Sequence, residues 1–206
     1  MSDSPNQSIS TQTVAGYLDA LNSGAPTPGG GAVAGTNGAT AAAIAGMVVH
    51  FTLGKKKYAE FESENQSRLA RLTDAQSKFL SLADDDATGY GTLNALWSLP
   101  ESDPARQSGW DDAVAGAIAP PTSMLALCVE ILNIVNELTG TTNRMLRSDL
   151  EIAAITGKAA AHSAACSIRI NIPLLPEGAQ PKATASMDDM LAEVDQLHNS
   201  IAKACR

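Results

Sequence analysis

The sequence predicts an all-α fold, a bundle of about seven helices. Three observations lead there. Apolar residues recur at intervals of three and four along most of the chain, and almost no stretch alternates as a half-buried strand does. The 206 residues are 44% hydrophobic but only 4% aromatic, and much of the apolar content is alanine. A core so poor in large side chains must close by tight backbone approach, which suits helix packed on helix. Prolines and glycines gather in clusters that separate the periodic segments.

Taken in order, Val14, Tyr17, Leu18 and Leu21 share one helical face, with Ser10 or Thr11 as the expected cap. The run Pro26-Thr27-Pro28-Gly29-Gly30-Gly31 is a loop feeding a long Ala/Gly/Val segment, Ala32 to Leu53, which as a helix is roughly 33 Å long. Its glycines each cost about 1 kcal/mol against alanine, so another helix or a ligand is expected close by. A third helix spans about Glu60 to Leu96, with Leu69, Leu72, Phe79, Ala83 and Tyr90 on one stripe. Pro100 to Pro104 breaks it. Ser102 or Asp103 opens a helix carrying Trp110, Val114 and Ile118, which Pro120-Pro121 are expected to end. Thr122 then caps a run of Leu125, Cys128, Leu132, Val135 and Leu138, with Gly140 as its stop. Ser148 and Glu151 have capping-box spacing and open an Ala-rich helix ending near Asn171. Residues 173–185 hold three prolines and read as a loop, and Ser186 caps a last helix with Met187, Met190, Val194, Leu197 and Ile201 on one face. The whole, 1–206, reads as a single helical domain with residues 1–10 as a flexible tail.

Composition narrows the function classes. The net charge is −8, so nucleic acid is a poor partner. Residues 32–53 are long enough to suggest a membrane span, but Thr36, Asn37, Thr40 and His50 favour a buried helix in a soluble protein, and no membrane partner is expected. The polar first ten residues do not form a signal peptide. Cys128, Cys166 and Cys205 are scattered, without metal spacing or a disulfide framework, which points to the reducing cytoplasm. His50, His162 and His198 are far apart; the first two read as core residues, and none is assigned a role. No metal site and no permanently bound cofactor are expected.

The Gly-rich turn and the Gly54-Lys55-Lys56-Lys57-Tyr58 run bracket one helix with two devices that favour anions: free amides at its start and cations at its end. Together with Thr52-Leu53 before the lysines, Asp85-Asp86 with Tyr90, Leu99-Pro100, Asn143, Ser148-Asp149, Ser163-Ala164 and Asn171, this pattern resembles the cyclodeaminase/cyclohydrolase family of folate one-carbon enzymes. The family includes the C-terminal domain of formiminotransferase-cyclodeaminase and the stand-alone methenyltetrahydrofolate cyclohydrolases. The resemblance spans nearly the whole chain. It implies an all-helical homodimer with folate sites at or near the subunit interface, a tetrahydrofolate derivative as substrate, and no metal. The activity implied is hydrolysis of the methenyl bridge to formyl-tetrahydrofolate. The alternative is ammonia release from formiminotetrahydrofolate by a cyclodeaminase. Cyclohydrolase is favoured because a formimino group normally arrives from a transferase domain, for which this chain has no room. A third reading, a non-catalytic folate- or pterin-binding protein, draws on two departures: Gly91 stands where many members carry a second acid, and Ser167 where asparagine is common.

Asp86 and Asp149 are the candidate catalytic residues. Asp86 is seven residues after Phe79 and four before Tyr90, so it falls on the apolar stripe. Burial would raise its pKa and fit it for proton transfer; the other account is an ion-paired or helix-end carboxylate. Asp84 and Asp85 point elsewhere and are expected to be solvated. Asp149 lies in a first helical turn, where the dipole alone explains a carboxylate, and the family's Ser-Asp motif makes it the second candidate. The substrate-binding candidates are Pro28, Gly29, Gly30, Gly31, Lys55, Lys56, Lys57, Tyr58, Tyr90, Asn143, Ser148 and Asn171. The lysines suit a folate's glutamate tail, a polyglutamylated one included, or else a helix C-terminus. Asn171 can serve a pterin's amide-like edge or cap its helix.

Overall fold

The computed structural model describes residues 8–206, and among these it contains no strand. Six α-helices follow in order: α1 (Val14–Leu21), α2 (Gly30–His50), α3 (Glu62–Trp97), α4 (Pro104–Thr141), α5 (Arg147–Asn171) and α6 (Gln180–Cys205), with short 3₁₀ turns between several of them. Helices α2 to α5 form a four-helix body in which each packs on the next and α5 returns to α2; α6 lies against α4 and α5. Successive helices run antiparallel, so the body has two ends. One gathers the start of α2, the last third of α3, the start of α4 and the close of α5. The other gathers the close of α2, the start of α3, the close of α4 and the start of α5.

The α2–α3 seam is a glycine stripe. A Cβ at Gly35 would lie 2.7 Å from both the Ala83 methyl and the Phe79 carbonyl oxygen, and one at Gly38 would overlap the Phe79 ring. One turn earlier, a Cβ at Gly31 would overlap the Asp86 carboxylate. These pairs step up one helix as they step down the other, the signature of antiparallel close packing. Phe79 is fully buried there, among Ala42, Ala45, Leu72, Met124, Leu125 and Cys128 of the main core, and burying a side chain of that size contributes roughly 1.5–3 kcal/mol. The glycines that lower the helix propensity of α2 are thus what lets α3 reach it. Opposite them, Gly157 of α5 receives Leu132 at 3.1 Å from its would-be Cβ.

Several boundaries differ from the sequence reading. Pro120 and Pro121 do not end a helix: α4 runs through both as one 38-residue helix, so six helices stand where about seven were expected, and Thr122 donates to the Ile118 carbonyl (2.8 Å) instead of capping. Pro120 has no N–H for the Gly116 carbonyl four residues back. That carbonyl faces Gly89 of α3, where a Cβ would lie 2.5 Å away. Close packing of α3 on this turn outweighs the local preference of proline. Gly140 likewise lies inside α4 rather than after it. The cap of α1 is Thr13, whose hydroxyl accepts from Gly16 N–H at 3.0 Å. Ser148 does not cap α5; the capping side chain is Asn143, which accepts from Met145 N–H and starts a 3₁₀ turn leading into the helix. Helix α6 begins at Gln180, not at Ser186, because Pro181 fits a first helical turn. Its face of Met187, Met190, Val194, Leu197 and Ile201 packs inward as expected.

Of the tail expected over residues 1–10, residues 1–7 lie outside the described residues. Residues 9–11 form a 3₁₀ turn tied to α3: Ser8 Oγ and Ile9 N–H both donate to the Asp84 carboxylate, at 2.6 and 3.0 Å. Asp84 therefore holds a neighbouring segment rather than facing solvent alone. Helices α2 and α4 are long and apolar enough to cross a membrane, but most of each apolar window is buried inside the protein.

The glycine seam makes a paired expectation. Gly35→Ala forces α2 and α3 apart and should destabilise the fold by about 1–3 kcal/mol. Gly140→Ala, which meets nothing within 4 Å, should stabilise it by up to about 1 kcal/mol. Urea unfolding of both variants checks this; equal effects would mean that the seam is not close-packed.

Candidate functional site

Helices α3 and α4 are longer than α2 and α5 and overhang them at the end where α2 begins. The overhang has its own small core of Leu93, Ala113, Val114 and Ala117, with Leu96, Trp110 and Ile118 against it. Between this overhang, the start of α2 and the close of α5 lies a cavity of about 580 Å³. The Pro/Gly loop supplies Pro26, Thr27 and Gly29–Gly31; α3 supplies Asp86, Ala87, Tyr90, Leu93, Asn94 and Trp97; α4 supplies Ala117; α5 supplies Ser167, Ile170 and Asn171.

Asp86 lies where this cavity meets the first turn of α2. Gly29 caps that helix without any side-chain bond, so the amides of Gly30, Gly31 and Ala32 have no partner within the helix. The carboxylate rests directly over Gly31, a position only glycine can hold. Among the described residues no cation pairs with Asp86. Burial raises its pKa from the ordinary 3.8 to about 6. The ion-paired account of this residue therefore has no partner, and the apolar-stripe account fits. Gly30, by contrast, has open space at its Cβ. Gly31 is the constrained member of the triplet.

The candidate binding residues divide between the two ends of the body. Gly29, Gly30, Gly31, Tyr90 and Asn171 line the cavity with Asp86; Pro28 belongs to the same loop but is not part of the wall. Asn171 donates one amide hydrogen to the Ser167 carbonyl at 3.0 Å. Lys55, Lys56, Lys57, Tyr58, Asn143, Ser148 and Asp149 lie at the other end. Helix α2 has 21 residues, so the ends are separated by about 30 Å. Within one chain, Asp149 and the lysines cannot act on the same atoms as Asp86. Some of these residues have structural work. Buried Tyr58 accepts the Arg144 N–H on its hydroxyl (3.2 Å), and buried Thr52 accepts the Asn143 N–H (3.0 Å). Together they fix the turn from α4 into α5. The Lys57 ammonium stands 5.5 Å from the centre of the Tyr58 ring, and all three lysines are exposed.

His50 and His162, expected in the core, are both exposed; His162 shares the Asp195 carboxylate with Lys158. Among the described residues no three His, Cys, Asp or Glu side chains gather as a metal site would need. The sequence reading passed over Leu93, Asn94, Trp97 and Ile170. The signal for Trp97 was present: it follows Asp86 by eleven residues and Tyr90 by seven, three and two helical turns along one stripe.

An unpartnered carboxylate held above its ordinary pKa makes a stability prediction. The folded state binds the Asp86 proton more tightly than the unfolded chain does. The cost of its charge is absent below pH 3.8, grows as pH rises towards about 6, and is complete above that. Asp86→Asn should therefore melt higher than the wild type at pH 8, with the difference vanishing near pH 4. Calorimetry at the two pH values checks it; a lower melting temperature at pH 8 would show that the carboxylate has a stabilising partner.

Comparison with known proteins bears on the family and the fold. Residues 13–203 match the formiminotransferase-cyclodeaminase family. The chain is 29% identical to a methenyltetrahydrofolate cyclohydrolase of Methylorubrum extorquens, over 92% of this chain and 94% of that protein. It is 25% identical to the mouse formimidoyltransferase-cyclodeaminase over 82% of its own length, but spans only 32% of that longer protein. In fold it superposes on the crystal structure of formiminotetrahydrofolate cyclodeaminase from Thermotoga maritima with a TM-score of 0.88, at 23% identity, covering 95% of this chain and 96% of the other. With nearly its whole length matched, the chain belongs to the formiminotransferase-cyclodeaminase family.

Proposed function

We propose that this protein is a methenyltetrahydrofolate cyclohydrolase and that Asp86 is its proton-transfer group. The observation that carries the reading is the unpaired Asp86 carboxylate, laid on the first turn of α2 and facing an aromatic-walled cavity. A relative matched almost end to end in sequence, at 29% identity, bears the cyclohydrolase name, which supports hydrolysis over ammonia release.

The substrate's methenyl carbon bridges two folate nitrogens as a cationic amidinium. Water attacks that carbon, and Asp86, ionised, takes a proton from the water as the C–O bond forms. The product of this step is a neutral tetrahedral carbon bearing one hydroxyl and both nitrogens. One C–N bond then breaks: the departing nitrogen receives a proton, the hydroxyl gives one up, and a formyl group remains on the other nitrogen. Asp86 serves both transfers, and one proton is released overall. A carboxylate with a pKa of about 6 is mostly ionised at neutral pH yet basic enough to take the proton. The α2 amides and Asn171 supply hydrogen-bonding groups for the pterin edge.

The lysine end enters this reading through a second copy of the chain. Ile152 and Ile155 of α5 are about half exposed, and α2, on which α5 packs, leaves Thr40 and Ala43 exposed. A dimer formed there with the two α2 helices antiparallel sets the lysine end of one copy against the cavity of the other. The glutamate tail of a folate then meets Lys55–Lys57, and the far-end candidates Asn143, Ser148 and Asp149 approach the site.

Two experiments test the reading. With methenyltetrahydrofolate, loss of methenyl absorbance should give a kcat/KM that rises with pH through about 6 and then levels, because the base acts when ionised. Asp86→Asn should lower kcat by about two to four orders of magnitude. Methenyl absorbance appearing from formiminotetrahydrofolate, with none lost from the methenyl compound, would assign the cyclodeaminase reaction instead. Separately, Ile155→Arg should dissociate the dimer in sedimentation and raise KM for long-tailed folates. A wild type that sediments as a fully active monomer would remove the two-copy site.

A further inference from the structure

The chain has two tryptophans, and they pack together at the mouth of the Asp86 cavity. The ring centroids of Trp97 and Trp110 are 5.8 Å apart, with the planes 77° to one another. On Trp110 rests the Arg106 guanidinium, 4.8 Å from the ring centre. Arg106 is itself fixed by donating to the Leu99 carbonyl at 2.7 Å. Trp110 is thereby held from two sides, and it in turn fixes the ring of Trp97. Trp97 nonetheless stays 52% exposed and forms part of the cavity wall. A large apolar ring held rigid and left half open to water at a cavity mouth is a contact surface awaiting a flat partner.

We infer that Trp97 is the platform for the p-aminobenzoyl ring of the substrate, with Trp110 and Arg106 as the positioning residues behind it. This rests on the folate reading of the cavity and adds to it the orientation of the ligand. The polar groups suited to a pterin edge, the first-turn amides of α2 and Asn171, lie at the inner end with Asp86. The outer end is largely apolar, Asn94 apart: Leu93 is buried, and Trp97 lies about 16 Å along α3 from Asp86 by helical rise, with a side chain that leans back towards the cavity. A pterin placed inward puts the bridge carbon near Asp86. It sends the benzoyl ring outward past Tyr90 to Trp97, and lets the glutamate leave at the cavity mouth, towards the lysine end of the second copy.

Calorimetric titration with folic acid, p-aminobenzoylglutamate and pterin-6-carboxylate separates the parts. Trp97→Ala should weaken folic acid and p-aminobenzoylglutamate about tenfold and pterin-6-carboxylate by less than about twofold. Trp97→Phe should restore affinity to within about threefold, and Trp110→Ala should give a smaller loss than Trp97→Ala. In turnover, Trp97→Ala should raise KM about tenfold with kcat within about threefold of wild type. The inference is overturned if Trp97→Ala binds p-aminobenzoylglutamate as wild type does, if it weakens all three ligands equally, or if its only effect is on sedimentation. If the wild type binds neither folic acid nor either fragment, the folate reading fails and this inference with it. Binding by wild type with no loss in Trp97→Ala overturns the inference alone.

Discussion

The closeness of α2 to α3 is the constraint on which the rest depends. Gly31, Gly35 and Gly38 present bare backbone to Asp86, Ala83 and Phe79 in turn. One sequence stripe thus does two jobs. Its inner two glycines admit Ala83 and the Phe79 ring and close the core. Its first glycine, at the point where α2 begins, admits a carboxylate. The same packing distance that satisfies the core brings an acid onto a helix N-terminus, where free amides and the positive end of the dipole face it. A side chain larger than hydrogen at any of the three would move Asp86 as well as loosen the seam.

The second consequence comes from unequal helix lengths. Since α3 and α4 outrun α2 and α5, the last turns of α3 and the first turns of α4 pack mainly on each other, with Leu174 and Leu175 after α5 against them. Gly89 and Gly116 let them do so: the carbonyl that Pro120 leaves unbonded within the helix lies against a bare Cα instead of a side chain. The proline pair is tolerated because the neighbouring helix is shaped to receive that turn. The overhang then becomes the cavity's outer wall, carrying Tyr90, Leu93 and Trp97 out beyond the start of α2. Fold and site are here the same feature.

Much of this could be read in the sequence, and the failures have physical causes. Helical periodicity located the core faces of α3 and α4 and the Met187–Ile201 stripe of α6, and placed Asp86 among apolar neighbours, whereas the same spacing on α1 marks a face with no buried residue. It could not foresee that α4 continues through Pro120-Pro121, since proline acts locally and the compensation comes from α3, about thirty residues away in sequence. The Ser148-x-x-Glu151 spacing imitated a helix start, but Asn143, held by Thr52, had already started the turn. Asp84 looked solvated because its partners, Ser8 and Ile9, lie in the N-terminal segment. The division of the candidate residues between two ends was also hidden. Sequence motifs record which residues matter along a helix, not that α2 places its first and last turns about 30 Å apart. Trp97 was legible from spacing alone, but its value depends on Trp110 and Arg106, which only the α3–α4 packing brings to it.

Asp86 is a half-buried acid with no cation among the described residues to balance it, and a fold selected for stability alone would not keep it so. Under the proposed chemistry the missing cation is the substrate. A methenyl-bridged folate carries its positive charge on the carbon that water must attack, so a group without a paired cation in the protein acquires one on binding. The attraction holds the carboxylate ionised in the complex and so keeps it ready to act as a base. As water adds, the substrate's charge disappears, and Asp86 loses the reason to stay ionised at the moment it is required to hold a proton. The environment that raises its pKa to about 6 in the free protein is thereby restored at the tetrahedral stage, where protonation is useful. A permanent lysine or arginine beside Asp86 would stabilise the resting fold and hold its pKa down throughout, removing that alternation. The absence of a paired cation among the described residues, which is a cost to the fold, is on this account the electrostatic condition for moving the proton twice.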